Sequence, residues 1–440
     1  MQTLPTPKPQ FLIGAVSSGS GKTTFTLGLL RALYKRGLRV QPFKCGPDYL
    51  DTKHHLAAAG RPSYNLDAFL ASPEHLREVY ARRSETADVC IIEGVMGLLD
   101  GYNRMQGSSA EIAGILDIPV ILVLHAGSTA YTVAAILYGF KNFCPGLRIA
   151  GALFNFVGSE SHYDHLRQAC QDAGVKALGY LPKCKDIEIP SRYLGLNIDR
   201  EYCFDEFADR IAVQVERSVL IDQLLEICQS PAPPPPEIKP MASPVSSLRI
   251  SIARDEAFNF YYPENIRILE SKGNITFFSP LHDRILPPSD FVYLPGGYPE
   301  LYLSPLSKNE SMRASVLAYC RQNGHLLAEC GGMMYLGESI FDTDGTPYPM
   351  CGFLPQRATM ENRKLRLGYR KVLYQDRIYS GHEFHYSRIL SGDSPLPSVA
   401  KVLTARNTET DTPVYRVGNV TASYIHFYWA HDGKLPLIDL

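Results

Sequence analysis

The chain has 440 residues, 45% of them hydrophobic, with 44 basic and 45 acidic side chains. A chain of that length buries more than one core, and two domains are expected. The near-cancelling charge gives no broad field to attract nucleic acid or an anionic membrane, so small-molecule chemistry is favoured. The opening stretch "MQTLPTPKPQFLIGAV" has one lysine and a short apolar run, which fits neither a signal peptide nor a spanning helix of about 20 residues. A cytoplasmic protein is expected. Strand-like runs then alternate with helical ones: "FLIGAV", "TTFTLGLLRALYKRG", "RVQPF", "VCIIEG", "PVILVLHA" and "IAGALFNF". Continuous apolar strands between amphipathic helices imply a parallel sheet covered on both faces. Residues 230–247, "SPAPPPPEIKPMASPVSS", hold seven prolines; these remove backbone donors and keep the chain extended, as in a linker. The pattern restarts with "RISIAR", "NITFFS", "FVYLPGG" and "HLLAEC", with helical character over 305–323. The expected domains are therefore 1–229 and 248–440, both α/β, with 230–247 between them. Beyond residue 345 the pattern blurs into short strands and turns.

The segment "SSGSGKTT" (17–24) keeps Gly19, Gly21, Lys22 and Thr23 of the G-x-x-x-x-G-K-[ST] phosphate-loop pattern, with Val16 at the first glycine. A buried strand, a turn of small residues and a helix stand in register, which disfavours a mere helix-starting turn. Backbone N–H groups over 19–24, Ser20 and Thr24 included, would converge on a polyphosphate at a helix N-terminus. Lys22 would neutralise the outer phosphates and Thr23 would ligate Mg²⁺, with ATP as co-substrate. One strand later, "FKCGPDYLD" sets Asp48 and Asp51 in a loop at the sheet's carboxyl edge. "VCIIEGVMGLLDG" ends an apolar strand in Glu93, placed as a Walker B acid is placed. Thr23, Asp48 and Glu93 form the expected oxygen-ligand set for Mg²⁺; Asp51 is given a positioning role, and Lys44 is a candidate aid to nucleotide binding.

Ten cysteines without a close C-x-x-C pair argue against a disulfide framework and a zinc site. One of them stands apart. In "HLLAECGGMMYLGE" an apolar strand stops at Cys330, followed by two glycines and a helix, as in a nucleophile elbow. The following N–H groups are expected to lower the thiol pKa and to hold an oxyanion. His426 in "ASYIHFYWAHD" is the expected base. In "GHEFHYS", His382 and His385 should lie on opposite faces of a strand, against a metal reading. "RKLRLGYRK" (363–371) either faces an acidic substrate or is a solvated charged strand.

These motifs carry a resemblance. GSGKTT, "FKCGPDYLD", "YNLDAF", "EGVMGLLDG", "LPGGYPELY", "AECGGMMYL", "GHEFHYS" and "SYIHFYWA" stand in the order of the cobyrinic acid a,c-diamide synthase (CobB/CbiA) family and run from residue 17 to 429. The resemblance implies a dethiobiotin-synthetase-like P-loop domain and a class I glutamine amidotransferase domain of the cobyric acid synthase type. It implies ATP- and glutamine-dependent amidation of the c and then the a carboxylate of cobyrinic acid, through acyl phosphates, in cobalamin biosynthesis. To the Gly331 N–H already expected after Cys330 it adds that of Gly297 as an oxyanion donor, and it suggests substrate contact for "GHEFHYS". The expected partners are a tetrapyrrole, L-glutamine and ATP, with neither nucleic acid nor membrane; a homodimer is open.

The chain departs from the commoner patterns at Ala328, where many class I amidotransferases have glycine, at Met334, where others have glutamine, and at Thr52, where the family commonly has proline. Tyr428 stands where a triad acid would be, so a Cys330–His426 dyad is expected. Nickel-sirohydrochlorin, in the coenzyme F430 pathway, and hydrogenobyrinic acid are alternative substrates. A ParA- or MinD-like partitioning ATPase would favour a lysine where Ser17 or Ser18 stands and would carry no amidotransferase domain. A regulatory protein with a decayed second domain sits poorly with the presence of both Cys330 and His426.

Overall fold

The computed structural model describes residues 7–184, 187, 204–231, 248–391 and 395–438. It divides into two compact units, Met1–Ile238 and Lys239–Leu440. Most of the proline-rich stretch, 232–247, lies outside the described residues, but Ser230 does not behave as linker: it pairs with Lys8 in a short antiparallel strand. No helix among the described residues is long and apolar enough to cross a membrane.

The first unit is built on β1 (Lys8–Ala15), β2 (Val40–Cys45), β3 (Tyr64–Leu66), β4 (Val89–Glu93), β5 (Val120–His125), β6 (Ile149–Val157) and β7 (Lys176–Pro182), in the spatial order β3-β2-β4-β1-β5-β6-β7. All these neighbours pair parallel. Because helices cover both faces, Phe11, Leu12, Ile13 and the whole of β4 are buried rather than alternating with polar residues. The carboxyl ends of β1, β2 and β4 lie side by side, so the loops that follow them share one edge. Two helices begin there, α1 (Lys22–Lys35) and α2 (Leu50–Ala59).

The second unit centres on a six-stranded sheet in the order 273–278, 248–253, 291–294, 325–329, 420–423, 414–417. Its last pair is antiparallel and the others are parallel. The blurred region beyond 345 supplies the last two strands of this sheet and most of two four-stranded sheets, one of which pairs Arg377–His385 with Ile425–Phe427. The helical stretch expected over 305–323 is two helices, Leu303–Lys308 and Glu310–Arg321. Asn309 breaks the run by leaving helical geometry (ψ 65°), and its side chain accepts the Met312 N–H at the start of the second helix.

Candidate functional site

The loop after β1 is shaped for an anion. Gly21, the N-cap of α1, has φ +99° and offers no side-chain cap, and the first turn carries no acid. The helix N-terminus is thus left with its donors and its positive end. Gly21 is required twice over: its φ disfavours any side chain, and a Cβ would lie 1.9 Å from Nδ2 of Asn155. Asn155 also donates to the Ser20 carbonyl at 3.2 Å, while the Ser20 hydroxyl donates to the Ser17 carbonyl at 2.9 Å. Lys22 reaches across to the Met96 carbonyl in the loop after β4. Burial holds its pKa below the usual lysine value, and the charge of Lys44 adds to the effect.

Beneath the loop lies a network around Glu93, which is 0% exposed. Its Oε1 accepts from Thr23 Oγ1 at 2.6 Å and from Lys44 Nζ at 3.0 Å, and its Oε2 lies 2.7 Å from His55 Nε2. Burial alone would push Glu93 up; Lys44 and the His55 hydrogen bond outweigh it and keep the carboxyl below its ordinary value. Lys44 Nζ also meets Asp51 Oδ2 at 2.7 Å. Against burial, Asp51 and Glu93 hold its charge, so Lys44 titrates above the usual lysine range. The immediate task of Lys44 is therefore to anchor two carboxylates. Asp48 Oδ1 accepts the N–H groups of Leu50 and Asp51, each at 2.8 Å, and so starts α2. Burial and the nearby Asp51 raise Asp48.

A cavity of about 460 Å³ adjoins the loop, with Gly19, Gly21 and Lys22–Thr24 on one wall and Asn155, Phe156 and Pro182 on another. Phe156 has φ +60°, an uncommon backbone for an aromatic residue, and such strain concentrates at functional sites. Sequence reasoning passed over Asn155, Phe156 and His55. For the first two the available signal was position, since "IAGALFNF" ends at the sheet edge that carries the loop. Thr23 and Glu93, as hard oxygen donors 2.6 Å apart, fit a Mg²⁺ ion.

In the second unit, Cys330 ends the strand His325–Glu329 with φ +47° and ψ −107° and caps the helix Gly331–Leu336. Its N–H donates to the Ser423 carbonyl of the neighbouring strand at 2.7 Å, which fixes the elbow. A Cβ on Gly331 would lie 3.2 Å from the amide nitrogen of Gly297, so the two expected oxyanion residues are adjacent. The preceding Gly296 has a separate reason: a Cβ there would lie 2.1 Å from Cε1 of His426. The glycines of "LPGGYPE" thus make room for the imidazole and for a close backbone approach. His426 lies opposite His382 across the strand pair. Burial, with His382 and His385 adding to it, lowers its pKa to about 3, so the imidazole is neutral and available as a base.

The expectation of a lowered thiol pKa is overturned. Burial pushes Cys330 well above its ordinary value, the charge of Glu300 adds to this, and the Gly331 N–H only partly opposes them. At neutral pH Cys330 rests as a thiol, directed at the Phe384 carbonyl at 3.8 Å, and His426 as a neutral imidazole.

Around this centre, Glu383 accepts from Arg370 Nε at 2.6 Å and Thr412 Oγ1 at 2.8 Å and lies 2.8 Å from His385 Nε2, while the His385 ring stacks on Tyr424. Arg366 pairs with Asp411, and Lys371 bonds to Asn407. Arg366, Arg370 and Lys371 of 363–371 are therefore engaged within the protein. Tyr428 packs edge-on against Tyr262.

Comparison with known proteins agrees with this geometry. Residues 11–196 match the CobQ/CobB/MinD/ParA nucleotide binding domain, and residues 249–434 match the CobB/CobQ-like glutamine amidotransferase domain. A nucleotide-binding unit joined to a glutamine amidotransferase unit defines a glutamine-dependent, amide-forming ligase. The chain is 40% identical to the cobyrinate a,c-diamide synthase of Salmonella typhimurium, over 97% of this chain and 96% of that protein. It is 39% identical to the cobyrinate a,c-diamide synthase of Dehalococcoides mccartyi (97% and 96%) and 38% identical to the hydrogenobyrinate a,c-diamide synthase of Pseudomonas aeruginosa (96% and 94%). The chain belongs to the cobyrinate and hydrogenobyrinate a,c-diamide synthase family.

Two outcomes follow from these charges. Lys44→Met should destabilise the first unit by about 3–5 kcal/mol, because it strands Glu93 and Asp51 without their cation; denaturant unfolding measures the loss. Alkylation of Cys330 by iodoacetamide, without glutamine, should be slow at pH 7 and accelerate only above about pH 9, the free-thiol range and beyond. A fast plateau extending below pH 7 would contradict the neutral pair.

Proposed function

We propose that the protein amidates the a and c side-chain carboxylates of cobyrinic acid, with glutamine as nitrogen donor and ATP as the source of activation. One observation carries the reading: a single chain holds both the Thr23–Glu93 pair under a phosphate loop and the Cys330 elbow, whose Gly331 abuts Gly297 while a neutral His426 packs on the adjoining Gly296. A carboxylate resists ammonia until one oxygen becomes a good leaving group. In the first unit the substrate carboxylate attacks the γ-phosphorus in line, ADP departs, and an acyl phosphate results. The α1 N-terminus and Lys22 hold the phosphates. Mg²⁺, when bound, would offset charge on the transferring phosphoryl group, with Thr23 Oγ1, Glu93 and Asp48 as its protein donors. Asp51, which lies in the first turn of α2 rather than in the expected loop, is locked by Lys44 and positions that helix start.

In the second unit Cys330 Sγ attacks the glutamine carboxamide while its proton passes to His426. The Gly297 and Gly331 N–H groups receive the oxyanion. His426 returns the proton as the C–N bond breaks, ammonia leaves, and water then hydrolyses the thioester to glutamate. Ammonia attacks the acyl phosphate, and phosphate departs.

Cys330→Ala should abolish glutamine-dependent amidation and retain activity with high free ammonia, whereas Glu93→Gln should lower both by roughly 10²–10³-fold. Mass spectrometry after incubation with cobyrinic acid, ATP, Mg²⁺ and glutamine should detect two successive acid-to-amide conversions. No conversion of cobyrinic acid, with turnover of hydrogenobyrinic acid or nickel-sirohydrochlorin instead, would reassign the substrate.

A further inference from the structure

Glu329 immediately precedes the nucleophile, and its carboxyl is 1% exposed. Burying such a group costs several kcal/mol unless it is well bonded. Glu329 Oε1 accepts the Phe427 N–H at 3.0 Å, and Oε2 accepts the Tyr293 hydroxyl at 2.7 Å. The same Oε2 lies 4.0 Å from Nδ1 of His426. The carboxyl is thus pinned to the residue directly after His426 and faces the ring nitrogen remote from the one that must serve the thiol. Any buried acceptor could hold the Phe427 N–H; only a carboxylate adds negative charge beside the imidazole.

We propose that Glu329 is the positioning carboxyl of His426, supplied from the nucleophile's own strand in place of an acid at Tyr428. The proton accounting is closed. As the S–C bond forms, the thiol proton moves to Nε2, and the Nδ1–H of the resulting imidazolium turns to Glu329 Oε2. As the C–N bond breaks, the Nε2 proton goes to the departing nitrogen, and Glu329 ends as it began. A contact of 4.0 Å closes to hydrogen-bond length when the imidazole gains its charge, as catalytic hydrogen bonds often tighten only in the reacting complex.

Burial pushes Glu329 up to about 8, against the Tyr293 and Phe427 hydrogen bonds. Its positioning charge therefore develops as pH rises through that value. The groups facing it titrate elsewhere: Tyr293 and Cys330 well above their ordinary values, His426 near 3. Glu300, pushed to about 7 by burial, acts on Cys330.

The inference rests on the glutaminase reading of Cys330, and one set of assays on the full chain separates the two. Wild-type glutaminase kcat should climb between about pH 7 and 9, around the value to which burial brings Glu329. Glu329→Gln keeps the shape and an acceptor for Phe427; it should lower kcat about 10²-fold with KM for glutamine unchanged, and the climb centred near 8 should vanish. Glu329→Asp should recover part of kcat. Tyr293→Phe, a milder change, removes a bond that favours the ionised carboxyl, so the climb should move to higher pH. Wild-type kcat in Glu329→Gln, a change confined to KM, or an unmoved climb in Tyr293→Phe would overturn the role of Glu329 while leaving Cys330 intact. Glutamine hydrolysis persisting in Cys330→Ala would overturn the glutaminase reading itself.

Discussion

Glu93 lies in the floor of the first unit with no exposure to solvent, and three separate segments end on it: Thr23 from α1, Lys44 from β2 and His55 from α2. A carboxylate in that setting is tolerable only with charged and hydrogen-bonded partners in place. Lys44 supplies the charge and extends it to Asp51, while His55 leans in turn on Ser63 at 3.0 Å. The arrangement couples stability to chemistry, because the contacts that offset the buried charge also hold the threonine beneath the phosphate loop. Parallel pairing of β1 with β4, and of β4 with β2, is what brings the three segments together.

The second unit solves a different problem. Its nucleophile sits on a left-handed elbow whose backbone is tied to the neighbouring strand, so the strain of φ +47° is held by the sheet. The histidine arrives from a strand of a different sheet and fits only because position 296 has no side chain. Neither Cys330 nor His426 is charged at rest. Catalysis there depends on placement and on a proton moving during attack.

Much of this was legible in the sequence because strong local signals coincide with the chemistry. Apolar strands ending in GSGKTT, in Glu93 and in Cys330 marked the sheet edges, and the α/β alternation followed from hydrophobic runs alone. The sequence could not reveal what depends on distant packing. His55 is one of several polar residues in "LDTKHHLAAA" until packing of α2 buries it against Glu93. Glu329 reads as a strand-end acid next to a cysteine; only pairing of 325–329 with 420–423, and the turn that follows, brings it to His426. The sign of the Cys330 shift was misjudged for a related reason: a helix start is visible in sequence, whereas burial and the nearness of Glu300 are not. The split at Asn309 was missed because periodicity carries across a one-residue break.

The neutral state of Cys330 bears on how this protein fares under oxidative stress. Peroxides react with the thiolate, and sulfenic acid formation follows thiolate character and access. A sulfur kept protonated and enclosed until an amide arrives to be attacked is a poor target between turnovers. The same burial that makes the nucleophile reliant on its base therefore shields it from irreversible oxidation.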